Sequence, residues 1–214
     1  ALAVSPDGRK IWAAGHLPAG AADGDFTAAA LTLVEDGKAV HFPLSNGTQG
    51  VRGMAISPDG RYLAVAHVLS RYQVPTTQLD RGWMNTNAVT VINTDEPDKP
   101  HPVLLDDPDA GAANPWGVSF SEDGGKLFVT HAGTHELSVI DFPALLERMK
   151  REDRSNEPVS ERLGFLHGLR TRIALPLNGP RSVASDGKNV YVAGYFSDSL
   201  AEISPVSYTH LRAH

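Results

Sequence analysis

The sequence predicts an all-β protein, a β-propeller running as an open arc of about four four-stranded blades, two complete and two partial. Three observations predict it. One phrase of turn and strand is written four times, SPDGRKIWAAG from Ser5, SPDGRYLAVAH from Ser57, SEDGGKLFVTH from Ser121 and ASDGKNVYVAG from Ala184. Its Asp-Gly pairs begin at Asp7, Asp59, Asp123 and Asp186, in steps of 52, 64 and 63 residues, which suits blade-sized units carrying insertions. Around each copy the same succession of short apolar strands recurs, separated by turn residues. A two-sheet sandwich also has recurrent turns, but it does not repeat its wording.

The elements follow in order. Residues 1–47 supply ALAVS, KIWAAG, AALTLVE and AVHFPL, and residues 48–111 supply VRGMAIS, RYLAVAH, AVTVIN and PVLLDD. Residues 112–177 give PWGVSFS, KLFVTHA, ELSVID and TRIALPL, and the fourth blade, about 178–205, ends at SLAEIS. In each hairpin the Gly supplies the positive φ that a tight connection needs. An insertion from Phe142 to about Arg170 contains PALLERMKRE. Pro143 suits a first helical turn, Leu145, Leu146 and Met149 mark one face, and Glu147 with Arg151 is spaced for an i,i+4 pair, so a short amphipathic helix is expected.

Both ends read as cut. Ala1 to Val4 already lie in an inner strand, and the text changes at Val206 to VSYTHLRAH. That string resembles translated adapter read-through at the end of a metagenomic fragment. Residues 206–214 are therefore expected to be a non-native tail without an outer-strand pattern, the alternative being a genuine polar terminus. A closed ring needs at least four blades, so two complete blades and parts of two others would form an open arc of a larger ring, with two blade faces bare and prone to aggregation.

SPDGRYLAVA, KLFVTHAGTHELSVID and NVYVAGYFSDSLAEI resemble the YVTN-type repeats of lactonase-like bacterial propellers, which commonly have seven blades. LSRYQVPTTQLDRGWMNTNAV, GAANPWGVSFS and HAGTHELSVID are similar to the propeller part of bacterial proteins that continue into a c-type cytochrome or di-haem peroxidase-like segment. The resemblance implies a periplasmic or exported bacterial protein connected with electron transfer. It also implies haem c in a part of the parent outside these residues, with no cofactor within them.

Composition narrows the function. The formal net charge is −6 and Lys and Arg form no stripe, since KREDR near Lys150 is broken by acids, so nucleic acid is not an expected partner. No apolar run approaches the roughly 18 residues of a membrane helix, and no secretory signal is visible. With no Cys there is no disulfide, thiolate nucleophile or haem-attachment motif in the sequence. An apolar share of 41% over 214 residues suits a globular chain with a substantial core.

If the inner strand of each blade runs from the top of the ring to the bottom, the Asp-Gly turns lie below and the other loops above. His16, the segment from His67 to Asn87, His131 to His135, Tyr195 to Ser199, Asn114-Pro115-Trp116 and Gly179-Pro180-Arg181 then share the upper face. His67 and His131 stand seven residues after Gly60 and Gly124, so with His135 they could converge on Zn or Cu. The simpler alternative is a strand-ending His bonded to a neighbouring loop. The 21 residues from His67 to Asn87 are expected to form a long loop folded over the rim as a lid or contact surface. Its polar residues include Arg71, Asn85 and Asn87, with Trp83, Met84, Tyr72 and Leu79 as apolar anchors; a rim insertion that packs only on the next blade is the alternative.

Arg52 and Arg181, at the entries to inner strands, could hold an anion or a haem propionate, or pair with Asp80, Asp107 or Asp198 between blades. Trp116 is expected to pack in the core. No Gly-x-Ser-x-Gly elbow, His-Glu-x-x-His or phosphate loop is present in the sequence. The leading expectation is a non-catalytic propeller binding a protein domain or small molecule through its upper face, with His67, Arg71, Trp83, Asn85, Asn87, Asn114, Trp116, His131, His135, Arg181, Tyr195 and Asp198 as candidates. One alternative is a lactonase-like hydrolase using His67, His131 and Asp198 as acid and base groups. The other is a metal-binding propeller using His67, His131 and His135.

Overall fold

The computed structural model describes residues 1–21, 23–72, 84–152 and 162–204, together with the backbone of 210–211. They form four antiparallel sheets of four strands each, in simple sequential order. The first holds β1 (Leu2–Val4), β2 (Lys10–Ala14), β3 (Ala30–Glu35) and β4 (Lys38–Pro43), and the second β5 (Thr48–Ile56), β6 (Tyr62–Ser70), β7 (Asn85–Asn93) and β8 (His101–Leu104). The third has β9 (Pro115–Phe120), β10 (Lys126–His131), β11 (Glu136–Asp141) and β12 (Arg170–Ala174), with helix α1 (Phe142–Glu152) inserted before its last strand. The fourth has β13 (Pro180–Ser185), β14 (Val190–Gly194), β15 (Ser199–Ile203) and the two-residue β16 (His210–Leu211). First strands lie side by side, β1 against β5, β5 against β9 and β9 against β13. That arrangement is a run of propeller blades around an axis.

The repeated turn explains the repeated wording. In the first three copies the Ser hydroxyl donates to the Asp two residues on, Ser5 to Asp7 at 2.5 Å, Ser57 to Asp59 at 2.5 Å and Ser121 to Asp123 at 2.6 Å. The same oxygen accepts the N–H that opens the next strand, from Lys10, Tyr62 and Lys126 at 2.9, 2.9 and 2.8 Å. Gly8, Gly60 and Gly124 close the turn at φ of 74°, 75° and 69°, where a side chain would be strained. The Ser hydroxyl first, then a backbone N–H, holds the Asp7 and Asp123 carboxyls below their ordinary range. The fourth copy has Ala184 where the others have Ser and closes differently, the Asp186 N–H donating to Asn189 O at 3.2 Å and Asp186 Oδ1 accepting from the Lys188 and Asn189 N–H groups.

Blades stack through their apolar faces, which is why β7 and β10 are buried almost throughout. Trp12, Leu31, Leu63, Val65 and Ile92 join the first two blades, and Phe128, Leu137, Val190, Val192 and Ile203 join the last two. Between them Ala64, Val89, Leu127 and Ile140 pack with Phe142, Leu145 and Met149 of the helix. Two local expectations change. Glu147 pairs with Lys150 at 3.0 Å rather than with Arg151, which lies 3.7 Å from Glu152. The expected loop from His67 to Asn87 is shorter, because β6 runs on to Ser70 and β7 starts at Asn85. Leu79, Asp80 and Trp83 lie outside the described residues; of the tail, the backbone of His210 and Leu211 pairs with Ile203 and Glu202.

Candidate functional site

Register places the Asp-Gly turns and the histidines at opposite ends of the blades. In β6, Leu63 near the turn pairs with Ile56 of β5, whereas His67 lies toward the other end opposite Ala88 of β7. In β10, Lys126 follows the turn and His131 closes the strand opposite Glu136. Tyr195 follows β14 at the same end. The upper face is thus the end away from the Asp-Gly turns.

The histidines there are structural. His67 is wholly buried, its Nδ1 3.1 Å from Val68 O and its Nε2 2.6 Å from Thr90 Oγ1. His131, also wholly buried, has Nδ1 3.0 Å from Ala112 O and Nε2 2.7 Å from Ser138 Oγ. A carbonyl can only accept, so Nδ1 carries the proton in each ring and Nε2 accepts from the hydroxyl. Burial pushes the His67 pKa down to about 4, against a weaker pull from Val68 O. Burial, then the Arg170 and Arg172 charges, push His131 to about 3. His135 Nδ1 instead accepts the Gly179 N–H at 3.0 Å. No cluster of three metal-ligating side chains occurs among the described residues. The expected convergence of His67, His131 and His135 on a metal is corrected accordingly, and the first two rings cannot reach a substrate as acid or base.

Asn87 is likewise a strut. Its backbone N–H and side-chain amide donate to Asp106, which also accepts the Ala112 N–H at 2.7 Å, while Asn87 Oδ1 accepts the Asn114 N–H at 3.1 Å. Beside it, Arg170 and Arg172 converge on Asp107, and Arg172 also reaches Glu136 at 2.5 Å. Asp106 and this arginine pair escaped the sequence reading, their only signal being consecutive acids in PVLLDD. Above the strut, His16, Gln49, Asn85 and Asn114 help line a cleft of about 340 Å³. Tyr72 reaches across to the first blade, its hydroxyl 2.9 Å from Asn46 Oδ1, whereas Arg71 is held through its N–H to Met84 O. Asp198 is exposed in the β14–β15 turn, at φ 45°.

Trp116 is not core. Arg52 lies 4.2 Å and Arg181 4.1 Å from its ring centroid, and Arg181 is also 3.8 Å from Tyr195 and 5.0 Å from Phe196. The result is a ladder of cations and rings across three blades. In each blade the pairing of first and second strands shifts here, between Gln49 and Gly53, opposite Val129 and His131, and between Pro180 and Ser182. Arg52, Trp116 and Arg181 are equivalent residues at these irregularities, and such bulges re-aim side chains. Close approach of the strands requires glycine. A Cβ on Gly53 would fall 1.9 Å from Trp116 O, and one on Gly117 3.0 Å from Arg181 O. Arg52 and Arg181 make no ion pair among the described residues; of their expected partners, Asp107 is taken by Arg170 and Arg172.

Fold and site together define a β-propeller whose polar and aromatic side chains gather at the end opposite its Asp-Gly turns. No protein-family model matches the chain. It is similar to hydrazine synthase subunit beta of Kuenenia stuttgartiensis, 28% identical over 174 residues, which is 79% of this chain and 45% of that protein. The chain thus spans about half the length of the curated relative it matches. Among solved structures, Kuenenia stuttgartiensis hydrazine synthase superposes with a TM-score of 0.79 at 24% identity, over 97% of this chain and 58% of that one. Dihydro-heme d1 dehydrogenase NirN in complex with DHE superposes at 0.58 and 16% identity, over all of this chain and 36% of that one. These structural likenesses carry the propeller fold. Among the described residues no helix is long and apolar enough to cross a membrane.

Proposed function

We propose that this propeller is a non-catalytic module that docks a partner protein through its upper face, in an exported assembly whose c-type haem sits in another domain or subunit. The observation that carries the reading is the division of labour at the upper face. The histidines that could do chemistry, His67 and His131, are buried and committed, while Tyr195 and Phe196 stand 61% and 66% exposed at the same end of the blades as exposed Asn85, Asn114 and Asp198. Exposed aromatics rimmed by polar side chains are the composition of a contact surface. Similarity to a protein named as a subunit of hydrazine synthase supports membership of an assembly. The hydrolase alternative drew on His67 and His131 with Asp198, and the metal alternative on the same two histidines with His135, so each is left with one of its three groups.

The test is purification of the natural protein with its companions, followed by haem staining. A stoichiometric, covalently haem-bearing companion is expected, and Asn85→Arg with Tyr195→Ala should weaken its retention at least tenfold. Intact assembly without haem removes the electron-transfer half of the reading. Undiminished retention by the double variant removes the docking half.

A further inference from the structure

Arg52 and Arg181 flank one indole, and among the described residues no acceptor meets their side-chain donors. Neither guanidinium donates a hydrogen bond or meets a carboxylate among the described residues, and Arg181 Nε is shut away from solvent without an acceptor. Each guanidinium has five N–H donors on its edge, so stacking on Trp116 and Tyr195 occupies faces and leaves edges free. A buried donor without a partner calls for an unseen water or ion. In a chain of net charge −6, two unpaired cations at one place are a local exception.

The surroundings suit a ligand. Both arginines line a cleft of about 240 Å³ together with Trp116, Gly53 and Gly117, and no acidic residue lines it. The glycines keep that wall free of side chains. The volume falls below the roughly 300 Å³ at which drug-sized pockets begin, which favours a small ligand or one terminal group of a larger one. We propose that the cleft between Arg52 and Arg181 is an oxoanion site taking a carboxylate- or phosphate-bearing small molecule, each guanidinium offering its edge to the anion. It rests on the reading of the upper face as a binding surface, but no partner protein is needed to test it.

Calorimetric titration of the natural protein with inorganic phosphate and, separately, with citrate tests the site, ionic strength being held constant with sodium chloride. Saturable one-site binding of either probe is expected, phosphate marking a free inorganic ligand and citrate a carboxylate one. Arg181→Gln and the exposed Arg52→Gln should each weaken it at least tenfold, with Arg181→Lys between them and the parent. Arg52→Gln removes an exposed side chain, so its fold serves as the control should Arg181→Gln unfold. Absence of saturation by both probes, or affinity unchanged in Arg52→Gln, overturns the site and leaves partner docking standing. Undiminished partner retention by the Asn85→Arg, Tyr195→Ala variant, with saturable anion binding by the parent, would instead refute the docking reading alone.

Discussion

Asn87 grips Asp106 twice, through its backbone N–H at 2.6 Å and its side-chain amide at 2.9 Å. With the Ala112 N–H as third donor, one buried carboxylate ties a strand of the second blade to the segment that leads into the third. Asp106→Ala would strand three donors away from water. An unsatisfied buried donor costs about 1–3 kcal/mol, and relaxation recovers part of the total. The expected loss is about 3–5 kcal/mol in urea unfolding, with Asp106→Asn losing roughly half as much.

Stability should fall on mild acidification. His67 and His131 ionise at about 4 and about 3 in the folded protein, against 6.5 when free, so the unfolded chain binds more protons below pH 6.5. Both groups contribute fully above that pH and lose their contribution as pH falls from 6.5 toward 4, at about 1.4 kcal/mol per pH unit for each. The depressed carboxylates Asp7 and Asp123 act only at lower pH, below their ordinary value of 3.8. Urea midpoints between pH 7 and pH 5 should show the slope, and His67→Gln should reduce it by roughly half. An unchanged slope would refute the burial argument.

Ser57→Ala should be costly for so small a change. Ser57 is 3% exposed and its hydroxyl serves both Asp59 and the Tyr62 N–H. Losing both bonds is expected to cost about 1–2 kcal/mol. Ala184→Ser should gain nothing, because the fourth turn closes through Asp186 and Asn189. Chemical denaturation of the two variants compares them directly.

Gly53→Ala should push the second and third blades apart. The added carbon would meet Trp116 O at 1.9 Å, which only a backbone shift relieves, and overpacking of this kind costs about 1–3 kcal/mol. Arg52 and Trp116 stack across that contact, so near-ultraviolet circular dichroism should change as well as the midpoint.

Thr90→Val tests the histidine struts from the other side. It removes the hydroxyl that donates to His67 Nε2 at 2.6 Å while keeping the volume, and about 1–3 kcal/mol should be lost. No gain in metal binding is expected, since Nδ1 remains committed to Val68 O.

Local chemistry was legible in the sequence. The four turns, the succession of strands and the helix after ELSVID follow from Asp-Gly geometry, from apolar runs and from Pro143 at a first helical turn. The aromatic ladder was present in the text as VRG, PWG and PRS but needed the repeats aligned through their bulges. Trp116 therefore read as core, and Phe196 went unremarked.

The sequence by itself determined the repeat, the four sheets and the end of each blade at which polar side chains gather, because hairpin turns and strand alternation are set by residues a few positions apart. Tertiary structure decided what those side chains do. Whether His67 is a ligand or a strut depends on Thr90, 23 residues away, and whether Asp107 is free for Arg181 depends on Arg170, 63 residues away. Burial and pairing across blades are properties of the packed arc. No local pattern encodes which of two arginines finds a carboxylate and which is left facing a cleft.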